Sequence, residues 1–266
     1  MGNELVIVRG GGDIATGTIY KLRKCGYKVL VLEIDKPSAI RRNVAFSEAV
    51  YEGSWKVEEI TARLAKSIEE AEEIMEAGDV AVMIDPFCDS LRHLKPAALV
   101  DGILAKKNLG TNRTMAPVTI ALGPGFVAGE DVDAVIETMR GHHLGRIILE
   151  GTAIPNTGIP GAVAGFTKER VIHAPAAGIL RNVSHVTDTV KKGQTIAYIE
   201  VEEGRVEWIM VGLLFHCCLA CLPICSVVGV GSWHWNLWMN IPRQRIVCMP
   251  FSFLMHPIWS FLVWEK

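Results

Sequence analysis

The chain has 266 residues, half of them hydrophobic, enough for one large domain or for a domain with a smaller companion. Its formal net charge of −2 argues against nucleic acid as the main partner. An apolar strand that starts as early as residue 4 leaves no place for a signal peptide, so a cytoplasmic location is expected.

The first element is the apolar run Leu5-Val6-Ile7-Val8, which breaks into Gly10-Gly11-Gly12 and resumes with helical spacing. Gly10, Gly12 and Ala15 fill the three places of G-x-G-x-x-G/A. There the first residue allows a tight turn, the second lets a pyrophosphate approach the backbone, and the third lets helix and strand pack closely. The free amides of the helix start, near Asp13 and Ile14, then face an anion. Ile14, Tyr20, Leu22 and Cys25 mark the helix, which closes at Gly26. Lys28 to Ile34 reads as a second buried strand. Glu33 ends it about twenty residues past the glycines, where an acid accepts both ribose hydroxyls; Asp35 is the near alternative. This order predicts an α/β fold with an N-terminal Rossmann-like parallel sheet. The expected cofactor-binding residues are Gly10, Gly11, Gly12, Asp13, Ile14, Ala15 and Glu33. The competing reading is a tight glycine turn that binds nothing.

The segment from Lys36 to Glu48 carries Arg41 and Arg42. Their guanidinium forks suit a second phosphate, or they are two solvated arginines. Residues 57–77 read as a charged amphipathic helix with Ile60, Leu64, Ile68, Ala71 and Ile74 on one face. Strands are predicted at Asp79–Ile84, Ala97–Val100, Pro117–Leu122 and Arg146–Leu149, so that strand and helix alternate to about residue 150. Such alternation points to a parallel sheet covered on both faces. Cys88 stands alone after Asp85-Pro86-Phe87, either a thiol that carries sulfur or selenium or binds a metal, or a half-buried packing residue. The basic stretch at Lys106 and Lys107 leads to a strand that ends in a second glycine loop. Its Gly123 and Gly125 join the candidate cofactor residues if both loops face one crevice; an ordinary tight turn is the alternative. His142 and His143 read as a surface turn, and no metal site is expected.

Residues 151–206 change character. A linker rich in proline, glycine and small residues precedes His173-Ala174-Pro175-Ala176-Ala177-Gly178 and Val190-Lys191-Lys192-Gly193-Gln194. These segments resemble one half of biotinyl- and lipoyl-type barrels, without the Met-Lys-Met hairpin that carries a cofactor. A small barrel-sandwich-like β-barrel, used for packing or docking, is expected. From Trp208 onward the only charged side chains are Arg243, Arg245, Glu265 and Lys266, while this tail holds five of the seven cysteines and six of the seven tryptophans. Residues 207–266 read as an anomalous apolar tail. The readings are a shifted reading frame, a membrane segment over Ile209–Gly231 interrupted by His216 and Pro223, or a metal site at Cys218, Cys221 and Cys225.

The ordered set Arg9–Gly17, Leu32-Glu33-Ile34, Ala39–Arg42, Ala45–Val50, Ala105–Thr111, Gly123–Phe126 and Pro155–Gly161 resembles the YqeB-type proteins over about residues 4–206. These are proteins of the selenium-dependent molybdenum hydroxylase system, akin to the XdhC/CoxI maturation factors. The resemblance implies a cytoplasmic accessory role in maturing a xanthine dehydrogenase-like molybdenum hydroxylase, its client partner. NAD(P) and a molybdopterin nucleotide both carry the phosphates that the glycine turn, Arg41, Arg42, Lys106 and Lys107 would hold. The fingerprint does not choose between them, and whether any reaction is catalysed stays open. An NAD(P)-dependent oxidoreductase and a membrane-tethered nucleotide-binding module are the alternatives.

Overall fold

A computed structural model describes residues 4–39, 41–158, 175–184, 188–191, 193–201, 206–210 and 217–218. The chain divides into two compact units, the first taking in Met1–Gly158 and the second residues 159–251. Most of the expected apolar tail, with its cysteine spacing, lies outside the described residues.

The first unit is built on β1 (Leu5–Arg9), α1 (Asp13–Lys24) and β2 (Lys28–Glu33), followed by the short α2 (Ala49–Glu52), β3 (Ser54–Val57), β4 (Ile60–Ala65), α3 (Ile68–Glu76) and β5 (Val80–Ile84). Then come β6 (Ala98–Asp101), β7 (Thr119–Leu122), β8 (Val127–Ala128), β9 (Ala134–Ile136), β10 (Ile147–Ile148) and β11 (Gly151–Thr152). Nine strands form one sheet in the order β10-β9-β7-β6-β1-β2-β5-β4-β3. The seven inner strands are parallel, and β3 and β10 close the two edges antiparallel. The strand order reverses at β1. On one side of it lie β2, β5 and β4, and on the other β6, β7 and β9. In open α/β sheets ligands sit beyond the carboxyl ends of the strands at such a reversal.

Successive strand residues point to opposite faces. Ile7, Leu30, Leu32, Ala81 and Leu99 line one face and pack with Ala71 and Met75 of α3, with Leu94 and with Cys88. The alternate residues Val6, Val8, Val29 and Val31 are also buried, so both faces of the central strands are covered, as expected. The helical reading of residues 57–77 is corrected: it divides into the β3–β4 hairpin, which reaches back to Ser54, and the shorter α3. Residues four apart share a face in a helix and in a strand alike, so Ile60 and Leu64 fit both. Pairing of Ala62 to Ala65 with Val80 to Met83 makes the strand. The helix starts only at Ser67, whose hydroxyl accepts from the Glu70 amide at 3.2 Å while the Glu70 carboxylate accepts from the Lys66 amide at 2.8 Å. This is a variant of the capping box that opens helices, with the carboxylate reaching the amide one residue before the cap.

The second unit shows β12 (Ile179–Asn182), β13 (Thr189–Val190), β14 (Thr195–Glu200), β15 (Val206–Met210) and β16 (Cys217–Cys218). β12, β14 and β15 form an antiparallel sheet, and β13 pairs with β16. Pairing of β14 with β15 runs through Ile199↔Glu207 to Thr195↔Met210, across the point where the composition changes. Gly178 has no side chain because one there would strike the Glu200 carbonyl of β14. The Lys191–Gln194 turn is closed by the Lys191 amide on the Gln194 side chain and the Gln194 amide on the Lys191 carbonyl, both at 3.0 Å.

Candidate functional site around the first glycine turn

The turn that leaves β1 is fixed by its neighbours. Gly10 has φ +87°, which favours glycine, and a Cβ there would lie 3.0 Å from the Ile103 backbone. Gly11 is packed against Ser47: its carbonyl accepts from the Ser47 amide at 2.9 Å and from the Thr16 hydroxyl at 3.1 Å. Thr16 in turn accepts from the Phe46 amide at 2.9 Å. The segment after β2 is thereby strapped over the turn. Ala15 is small because Gly102 packs directly on it, and a Cβ on Gly102 would come within 2.7 Å of the Ala15 Cβ.

Gly12 differs from these. Its φ is −62°, a value any residue adopts, and beyond its own chain neighbours no atom lies within 4 Å of where its Cβ would be. It caps α1 without a side-chain hydrogen bond, and the first intrahelical bond runs from the Thr16 amide to the Gly12 carbonyl. The amides of Asp13, Ile14 and Ala15 therefore have no acceptor among the described residues, the usual state of a helix start. Gly12, Asp13 and Ile14 are half-exposed.

Glu33 lies beside this turn, as its place at the end of β2 requires. Its Oε1 accepts from the Gly11 amide at 2.6 Å and its Oε2 from the Ile34 amide at 2.9 Å. Burial pushes its pKa up, and the two amides offset part of that rise. Asp35, the alternative acid, is exposed. Arg41 pairs with Asp13 at the mouth of the turn. Arg42 donates through Nε and Nη2 to Oε2 of the buried Glu48, at 2.9 and 2.8 Å. Both arginines are engaged, contrary to the picture of two solvated side chains; Arg41 touches the turn itself, and Arg42 braces the strap.

The second glycine loop follows β7. Gly125 has φ +114°, and a Cβ there would fall within 2.7 Å of the Lys106–Lys107 backbone; one on Gly123 would meet Thr138 and Leu104. Its glycines are thus accounted for by chain packing. Residues 102–107 run between the two glycine turns, touching Gly10 through Ile103 and Gly125 through Lys106 and Lys107.

Sequence reading missed a buried polar group beneath the mouth. Arg9 and Asp101 are register partners at the ends of β1 and β6. Arg9 Nη1 lies 3.5 Å from Asp101 Oδ2 and donates to Thr111 Oγ1, which donates to Asp101 Oδ2 at 2.5 Å. Arg9 Nη2 reaches the carbonyl of Pro86 at 3.1 Å. The available sign was that a charged residue ends each of two apolar strand runs. Cys88 is only 5% exposed, and burial pushes its thiol up to about 11 against the pull of Arg9. A thiol so placed is a packing residue, since a reactive cysteine needs access and a lowered pKa. His142 and His143 are exposed. Among the described residues no group of His, Cys, Asp and Glu could hold a metal ion.

No family model and no solved structure matches the chain. The chain is similar to "Uncharacterized protein YqeB" of Escherichia coli (strain K12), with 54% identity over 202 residues. The matched part makes up 76% of this chain and 37% of that protein, so the chain spans little more than a third of its relative's length.

Proposed function

We propose that the chain is an accessory factor in the maturation of a molybdenum hydroxylase, and that it holds a dinucleotide or molybdopterin nucleotide on the turn from Gly10 to Ala15. The observation that carries the nucleotide part is Gly12. Neither its backbone angles nor any neighbour demands glycine there, and the open space lies over amides that lack acceptors. A phosphate would fill that space and take those hydrogen bonds. Glu33 would hold the sugar, and Arg41 would meet the phosphate once released from Asp13. The hydroxylase part, including a selenium-dependent client of the xanthine dehydrogenase kind and a cytoplasmic setting, rests on the motif resemblance. No helix among the described residues is long and apolar enough to cross a membrane.

The test is titration of the full chain with NAD, NADP and molybdopterin cytosine dinucleotide, read by calorimetry, beside a Gly12→Ala variant. At least one ligand is expected to bind the wild type. The added methyl meets no protein atom, so the variant should stay within about 1 kcal/mol of wild-type stability. Its affinity should fall about tenfold or more as the phosphate is pushed off the amides, a difference of roughly 1.4 kcal/mol. Equal affinity in the two proteins would defeat the reading.

A further inference from the structure

Between Asp101 and Glu130, and again between Glu137 and Glu150, the chain carries no acidic residue. Those stretches hold the loops that leave the carboxyl ends of β6, β7 and β9. Apart from Arg113, which pairs with Asp133, their basic side chains are Lys106, Lys107, Arg140, His142, His143 and Arg146, all exposed. The three loops pack on one another: a Cβ on Gly125 would strike the Lys106–Lys107 backbone, and one on Gly123 would strike Leu104 and Thr138. The acids that bound these stretches are withdrawn from this end. Asp101 is buried against Arg9. Glu137 is only 2% exposed and accepts from the amides of Met139 and Ile154 at 2.7 and 2.8 Å. β10 runs antiparallel to β9, so Glu150 lies toward the start of β9, and Gly129, next to Glu130, packs there on the Leu149 carbonyl.

Two apolar side chains sit among these cations. Ile147 follows Arg146 and pairs with Ile136 at the end of β9, on the open edge of the sheet. Ile154 is tied to the base of the same loop through Glu137. They are 44% and 42% exposed. An apolar centre with a polar rim is the anatomy of a protein interface. We infer that the loops after β6, β7 and β9 form a docking surface for a carboxylate-rich face of a partner protein, with Ile147 and Ile154 at its centre. Charge complementarity gives such a surface its specificity and its rate of encounter. A phosphate site would gather main-chain amides in a glycine cradle, but here Gly123 and Gly125 are filled by chain packing. Lys106 and Lys107, which the resemblance gives to a phosphate, thus face a protein instead. The inference goes beyond the proposed function and does not depend on a nucleotide at Gly12.

The experiment uses the full chain and fluorescence anisotropy with a labelled glutamate-rich peptide that has Leu-Phe at its centre. Saturable binding is expected at low salt, weakening as salt rises and shortens the range of charge. The double variant Lys106→Glu with Arg146→Glu should bind about tenfold more weakly or worse, since it sets like charges against the peptide. Lys56→Glu with Lys95→Glu changes the net charge equally, on β3 and ahead of β6, and should bind as the wild type does. It also stands as the comparison if the first pair alters the unfolding midpoint. Replacing the central Leu-Phe with Gly-Ser should weaken binding several-fold. No binding of the peptide, or equal loss in the two double variants, would overturn the inference. So would tighter binding of inorganic polyphosphate or of a single-stranded oligonucleotide than of the peptide. None of these outcomes touches the nucleotide titration at Gly12, which stands or falls separately.

Discussion

Glu33 shows how one side chain can set the behaviour of its surroundings. Its folded-state pKa lies above the ordinary glutamate value because burial disfavours the charge. Between the unfolded and the folded pKa, the folded chain therefore holds a proton that the unfolded chain has released. The contribution to stability is fully present below the unfolded pKa and is lost as pH rises through the folded one. Glu33→Gln removes that titration. Urea unfolding of both proteins over the acid range is expected to show the wild type losing ground to the variant as pH rises through this window. A difference independent of pH would mean that the carboxylate is not held away from water. Glu33 was legible in the sequence because an acid ending an apolar strand stands out. The partners of Arg41 and Arg42 were not, since Asp13 and Glu48 come to them through the path of the strap, and local spacing carries no trace of that path.

The elements of the first unit were legible where period and punctuation agreed. β1, α1 and β2 follow the apolar run, the glycines and Gly26 closely. The stretch from Val57 to Ala77 was misread because Ile60, Leu64 and Ile68 recur every four residues, a spacing that serves both periods. The signal that separates hairpin from helix is Ser67 with Glu70 three residues on, which starts a helix and so ends whatever precedes it. Ser67→Ala removes the hydroxyl that accepts from the Glu70 amide and is expected to lower stability by about 1 kcal/mol. Thermal or urea unfolding checks this, and an unchanged midpoint would show that α3 is held by packing alone.

Across the whole molecule, the parallel sheet reverses its order at β1, and polar residues collect at that point. Arg9 joins β1 to β6 through Asp101, to the loop after β5 through Pro86, and to the loop after β6 through Thr111. Removing it leaves Asp101 buried without its cation. Arg9→Met is expected to cost about 3–5 kcal/mol, the range for breaking one side of a buried pair. Asp101→Asn added to Arg9→Met should recover part of that loss, and urea unfolding of the single and double variants measures the coupling. The reversal itself could not be read from sequence: strand order depends on which neighbours a strand finds, and β5 and β6 are consecutive in the chain yet lie on opposite sides of β1.

Residues 102–107 form a common wall, with the first glycine turn leaning on one end and the second on the other. Neither turn can be rebuilt alone. A bulkier residue at position 125 would shove this partition at Lys106 and Lys107, and the push would arrive at Ile103, under the mouth where Gly10 rests. The two loops, some 115 residues apart in the chain, are therefore constrained to change together, and sequence drift in one is paid for in the other.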